Sequence, residues 1–232
     1  MADHQSTLST QARPLDPGYR PSAVVFDCDG VLLDTESVWT EVQEAMFTRH
    51  GLPFDQDEQR RMMGWSARSV AREVATLSGT DADAAFTEIL ATEAEFLEGH
   101  LPMIDGAMEL LRRVAARVPA AVASNSTRQI LDTKMNATGI GEHVRTWVSS
   151  DDTPPGKPEP DIYLEAARRL GVEPARCLAI EDSPAGAAAA IAAGMVTVGV
   201  SADPDAHPVP SSVLVTSLLD PALEQLLVRW GW

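Results

Sequence analysis

The sequence predicts an α/β fold, in which a parallel β-sheet with helices on both faces carries an inserted all-α helical domain. Three observations predict it. From residue 103 onward, short β-branched apolar runs alternate with stretches of helical periodicity. Between residues 37 and 102 helical stretches follow one another with no convincing strand among them. Polar residues fall immediately after the apolar runs, where open α/β sheets bind their ligands.

Each element has its own justification. Val24-Val25-Phe26 is too short and too β-branched for a helix, and it stops at Asp27-Cys28-Asp29, with Gly30 allowing a tight turn. Residues 37–50 then place Val38, Val42, Ala45 and Met46 at helical spacing, and further helices are expected over 58–63, 67–77 and 81–97. The alternating part follows. A helix over 107–118 leads to a strand over 120–123 that ends at Ser124-Asn125-Ser126. A helix over 128–137 leads to a strand over 146–148 that ends at Ser149-Ser150-Asp151-Asp152. A helix over 161–170 leads to a strand over 177–180 that ends at Glu181-Asp182. The rest is an Ala-rich helix over 185–193 closed by Gly194, strands over 195–200 and 213–215, and a final helix over 221–229. The domains expected are a disordered tail over 1–21, a discontinuous α/β core over 22–36 and 103–232, and the helical domain over 37–102.

Composition narrows the function. An apolar share of 44% and a charged share of 22% belong to an ordinary soluble globular protein. With 18 Lys+Arg against 34 Asp+Glu the formal charge is -16, a surface that repels nucleic acid and anionic membranes. No stretch is apolar enough to span a bilayer, and the start lacks a secretion signal, so a cytoplasmic location is expected. Cys28 and Cys177 lie far apart, as suits a reducing compartment; Cys28, flanked by two Asp, reads as a buried structural thiol. Oligomeric state stays open between monomer and homodimer.

Parallel strands share a polarity, so Asp27/Asp29, Ser124/Asn125 and Glu181/Asp182 converge on one sheet edge. Lys157, in Pro154-Pro155-Gly156-Lys157-Pro158, lies in the loop after a fourth strand on that edge. Four carboxylates near one point need a counter-charge, and oxygen-only ligands suit Mg²⁺. A carboxylate can take a phosphoryl group as an aspartyl phosphate, while a neighbouring acid protonates the leaving group and then activates water. Ser124 and Asn125 offer donors to phosphate oxygens, and Lys157 a point charge. Each feature also has a plain reading. Asp-x-Asp-Gly is common in turns, Ser124 caps a helix, Glu181/Asp182 form an acidic cap, and a lone lysine is usually solvated. Leu32 and Leu33 occupy positions where an EF-hand needs oxygen ligands. The joint occurrence, each at a strand end, favours a site.

The stretches Phe26-Asp27-Cys28-Asp29-Gly30-Val31-Leu32-Leu33-Asp34-Thr35-Glu36, Ala123-Ser124-Asn125-Ser126, Gly156-Lys157-Pro158-Glu159-Pro160 and Ile180-Glu181-Asp182-Ser183-Pro184-Ala185-Gly186 resemble the motifs of the haloacid dehalogenase superfamily, in its phosphatase and β-phosphoglucomutase-like branch. The resemblance implies a Rossmann-like core with a helical cap. It also implies Asp27 as nucleophile and metal ligand, and Asp29 as general acid/base that offers its backbone carbonyl to Mg²⁺. Ser124 and Lys157 would bind phosphate, with Asp182 and Glu181 on the metal. Dehalogenases of the superfamily lack the second Asp, so Asp29 argues for phosphoryl chemistry. Trp39 stands where the mutase branch carries a His. Trp65 and Arg68, in a segment similar to the substrate-touching cap loop of sugar-phosphate members, would stack on a sugar and bind an anionic or hydroxylated group; their plain reading is a core Trp and a surface Arg. The expected activity is Mg²⁺-dependent hydrolysis of a small phosphorylated metabolite, a sugar or polyol phosphate. A phosphomutase and a non-catalytic ligand-binding protein are the alternatives.

Overall fold

A computed structural model describes residues 12–62, 65, 67–99 and 101–232. The chain divides into two compact units, one of Met1–Leu33 with Met103–Trp232 and the other of Asp34–Pro102.

The first unit holds a six-stranded sheet in the order β3-β2-β1-β4-β5-β6, with all five pairings parallel. The strands are β1 (Ala23–Asp27), β2 (Ala120–Ser124), β3 (Thr146–Ser149), β4 (Cys177–Glu181), β5 (Val196–Val200) and β6 (Val213–Val215). Helices α1 to α4 fall in the other unit, and α5 (Ala107–Ala115), α6 (Arg128–Thr138), α7 (Asp161–Leu170), α8 (Pro184–Ala192) and α9 (Pro221–Trp230) connect or follow the strands. This is a Rossmann-like order, in which the chain leaves β1 in one direction to build β2 and β3 and returns to build β4, β5 and β6. The crevice at that reversal lies beside β1.

Strand alternation assigns the faces. Ala23, Val25, Ala121, Ala123, Cys177 and Ala179 point to one side, where they form a buried cluster with Ile162, Tyr163, Ala166 and Ala167 of α7 and Ala189 and Ala190 of α8. Val24, Phe26, Ala120 and Val122 alternate with them and are equally buried, on the side where α5 meets β2 and α6 meets β3. Central strands buried on both faces read as continuous apolar runs, which is why they stand out in the sequence.

Immediately after β1 the backbone makes the tight turn expected at Gly30, and the turn runs on to Leu33. The amides of Leu32 and Leu33 donate to the Cys28 carbonyl at 3.0 and 2.9 Å, and Gly30 N–H donates to Leu33 O at 2.8 Å. Leu33 then bridges antiparallel to Met103, so the chain leaves and re-enters the core at one place.

The segment expected as a tail is described from residue 12 onward and is held down there. Arg13 donates to the Ala175 carbonyl at 2.7 Å, and Tyr19 meets Trp230 edge-on at 6.4 Å. Residues 1–11 lie outside the described residues.

The second unit is all-helical: α1 (Thr35–Arg49), α2 (Gln56–Met62), α3 (Ala67–Ser78) and α4 (Ala82–Gly99). Val42, Met46, Phe47, Met62, Val70, Val74 and Ile89 form its core, and Trp39 and Trp65 pack against it. Asp34 caps α1 by accepting from Ser37 N–H at 3.2 Å. Among the described residues no helix is long and apolar enough to cross a membrane.

Candidate active site

The register of the sheet sets the site. Phe26 pairs with Ile180 and Asp27 with Ala123, so Asp27, Glu181 and Ser124 end three adjacent strands together. Asp27 and Glu181 continue the file of side chains that faces α7, whereas Ser124 continues the opposite file. The polar groups therefore divide into two sets.

The first set centres on Lys157. Its ammonium group bonds to Asp27 Oδ1 and to Glu181 Oε1, the latter at 2.6 Å. Glu181 is fully buried and also accepts from the Tyr163 hydroxyl at 2.6 Å and from Ser183 Oγ at 3.0 Å. Gly186 leaves it room, because a Cβ there would lie 1.8 Å from Glu181 Oε1. Gly30, at φ +84°, does the same for Asp182, whose Oδ2 would lie 1.8 Å from an added Cβ.

Carboxylate oxygens of Asp27, Glu181 and Asp182 all come within 4.8 Å of one another. Burial raises the pKa of Asp27 well above the carboxylate range despite the opposing Lys157 charge. Burial and then Glu181 push Asp182 up to about 7. Lys157 is raised; burial opposes the shift, and Asp27 and Glu181 outweigh it. Fully ionised, the three carboxylates against one ammonium would leave two negative charges, the charge a single divalent cation balances. The donor set is all oxygen, which suits a hard cation.

The second set centres on Asp29. Its Oδ2 accepts from Ser124 Oγ at 3.0 Å and Ser126 Oγ at 3.3 Å, and its Oδ1 from Lys134 Nζ at 2.5 Å. Cys28, between the two acids, is buried with its thiol pKa raised well above normal by burial and then Asp29, as an inert thiol should be.

The structure thus brings together Asp27, Asp29, Ser124, Lys157, Glu181 and Asp182. Asn125 plays a different part from the phosphate donor expected of it. Its Oδ1 accepts from Lys157 N–H at 2.8 Å and its Nδ2 donates to Lys157 O at 3.2 Å, so it clamps the backbone that carries the lysine. Trp65 and Arg68 belong to the helical unit. There Arg61 lies over the Trp65 ring at 5.1 Å, while Arg68 lies over the Phe86 ring at 4.0 Å and 3.9 Å from Asp83. Of the loop singled out around them, Gly64 and Ser66 lie outside the described residues, as does Met63 at the end of the helix expected over 58–63.

Tyr163, Ser126, Ser183 and Lys134 were not anticipated. For Lys134 a signal existed: it shares the buried stripe of α6 with Leu131 and Met135, an unusual place for a lysine.

Residues 21–194 match the family model of the haloacid dehalogenase-like hydrolases. The chain belongs to that family. Among its curated relatives in the haloacid dehalogenase-like family is the validoxylamine A 7'-phosphate phosphatase of Streptomyces hygroscopicus subsp. limoneus, 32% identical over 209 residues that cover 89% of this chain and 95% of the relative. Another is (DL)-glycerol-3-phosphatase 2 of Arabidopsis thaliana, 33% identical with 90% of each chain covered. The solved structure of a putative β-phosphoglucomutase from Thermotoga maritima is similar with a TM-score of 0.79, at 25% identity over 88% of this chain and 99% of that one. Within the haloacid dehalogenase-like hydrolases the protein is an enzyme of the phosphoric monoester hydrolase kind.

Proposed function

We propose that the protein is a Mg²⁺-dependent phosphatase of a small sugar or polyol phosphate, working through an aspartyl phosphate on Asp27 with Asp29 as general acid/base. The observation that carries the reading is the division of the site into two acid–lysine sets, Asp27 with Lys157 and Asp29 with Lys134, flanking Ser124. In this reading one carboxylate attacks and a second, separately held, moves a proton.

Asp27, Asp182 and the Asp29 backbone carbonyl would hold Mg²⁺, with Glu181 alongside. The ion would offset the charge that substrate and carboxylates bring together. An Asp27 carboxylate oxygen forms a bond to phosphorus as the bond to the substrate oxygen breaks. Asp29 gives that oxygen its proton, so the alcohol leaves neutral. The Asp29 carboxylate then takes a proton from water as the water oxygen bonds to phosphorus and the Asp27–phosphorus bond breaks. Inorganic phosphate departs, and both carboxyl groups return to their starting states. Lys157, fixed by Glu181 and by the Asn125 clamp, neutralises Asp27 throughout and binds a phosphate oxygen, as does Ser124. The sugar or polyol class is supported by the relatives, which are phosphatases of validoxylamine A 7'-phosphate and of glycerol 3-phosphate.

Phosphate release from a panel of sugar and polyol phosphates, with and without Mg²⁺, tests the proposal. Asp27→Asn should fold normally and lose turnover; undiminished phosphate release by the purified variant would sink the mechanism. Isomer formation from a sugar 1-phosphate in place of phosphate release would convert the reading to a mutase.

A further inference from the structure

We propose that Lys134 is a positioning residue for Asp29, holding Oδ1 so that Oδ2 is the oxygen presented to the reacting phosphate ester. The proposal rests on the reading of Asp29 as general acid/base.

A lysine on the buried stripe of a helix is destabilising unless its charge is met. Here it is met by Asp29 Oδ1 at 2.5 Å and Ser126 Oγ at 3.0 Å. The lysine side chain is 6% exposed and that of Asp29 33%, so the cation is the fixed end of the pair and the carboxylate the open end. The two oxygens of Asp29 are held unequally. Lys134 grips Oδ1, whereas Oδ2 is shared by the hydroxyls of Ser124 and Ser126 at 3.0 and 3.3 Å. Ser124 has one O–H and can donate it to Asp29 or to a phosphate oxygen, but not to both. Phosphate binding at Ser124 therefore withdraws a donor from Oδ2 and leaves Oδ1 in the grip of Lys134. Oδ2, which keeps the longer bond from Ser126, is then the more loosely held of the two oxygens.

The two lysines then have separate tasks. Lys157 serves the nucleophile through Asp27 and Glu181, and Lys134 serves the proton carrier. When Asp29 passes its proton to the departing oxygen, the carboxylate that remains already has a cation beside it and keeps its orientation for the attack of water.

The test compares kcat/KM on phenyl phosphate and p-nitrophenyl phosphate, because this ratio reports steps up to departure of the leaving group. Nitrophenolate leaves without a proton, whereas phenolate leaves far better with one. Lys134→Met should lower kcat/KM for phenyl phosphate about tenfold or more and that for p-nitrophenyl phosphate less than about threefold. Adding Lys134→Met to Asp29→Asn should cost nothing further. Equal losses on both substrates, or losses that multiply in the double variant, overturn the proposal. Asp29→Asn alone separates the two readings. If it shows no preference between leaving groups, the general-acid assignment fails; if it does and Lys134→Met does not, only the role of Lys134 fails. Should Lys134→Met not fold by circular dichroism, Lys134→Gln takes its place in the same comparison, with a smaller loss expected because the amide still donates to Oδ1.

Discussion

Glu181 shows what a single residue must satisfy to sit at the centre of this site. It has no exposed surface and meets Lys157, Tyr163 and Ser183 with its two oxygens. A buried charge is tolerated when each lone pair is used, and losing one partner is costly. Tyr163 is a pure case, since its hydroxyl does nothing in the site but donate to Glu181 Oε1. Tyr163→Phe should destabilise the protein by about 1–3 kcal/mol, read as a lower urea midpoint at unchanged slope. An unaltered midpoint would mean that water replaces the phenol. Asp27 and Asp29 stood out in the sequence because they end an apolar strand run, and Lys157 because it sits in a distinctive Pro-Gly-Lys-Pro loop. The sequence could not assign Asn125, since whether an amide after a strand turns to ligand or to backbone depends on the neighbouring loop, here the Gly156-Lys157 backbone. Lys134 carried a signal in its place on a buried stripe, but its partner, 105 residues away, was hidden.

At the scale of elements, the strands were legible nearly to the residue, because a run buried on both faces has no polar interruption. The starts of α6, α8 and α9 fall within a residue of expectation, but their caps are Thr127, Ser183 and Asp220, where the plain reading had Ser124 and Glu181/Asp182 as caps. The turn at Gly30 was legible but its extent to Leu33 was not, because Leu32 and Leu33 are apolar while their amides serve the turn. Helix α7 carries the pH dependence that can be argued at this scale. Glu165 accepts from Arg168 at 2.6 and 2.7 Å and from Arg169 at 2.7 Å, and these bonds hold its carboxyl down at about 2. A carboxyl whose folded pKa lies below its unfolded value of about 4.3 stabilises the fold above that value and ceases to as the pH falls towards 2. Glu165→Gln should therefore melt slightly lower than the parent at pH 6, and the difference should shrink below about pH 4 and be nearly gone at about pH 2. A constant difference across that window would locate the effect elsewhere. Arg168 is 72% exposed, so the difference is expected to be small.

For the whole molecule, the formal charge of -16 and the cluster of acidic groups at the site point the same way. An anionic substrate approaches this protein against its field, and local cations must reverse that field at the sheet edge. The division into a sheet unit and a helical unit was legible as a change of periodicity after Glu36, yet the closeness of the insertion's two ends was not, since it depends on the Leu33–Met103 bridge. That bridge, with Asp34 N–H donating to Pro102 O at 2.9 Å, closes the loop of chain at its neck. Replacing residues 35–101 by a short glycine-serine linker should then leave a core that folds by circular dichroism and unfolds cooperatively; loss of cooperative unfolding would show that the sheet unit leans on the insertion. The wider consequence is one of exchange. A neck clasped on both sides behaves as a socket, so helical cassettes of other lengths and surfaces can be plugged in between Leu33 and Met103 without disturbing the strand register behind them. A lineage could then replace the helical unit while inheriting the sheet edge unchanged.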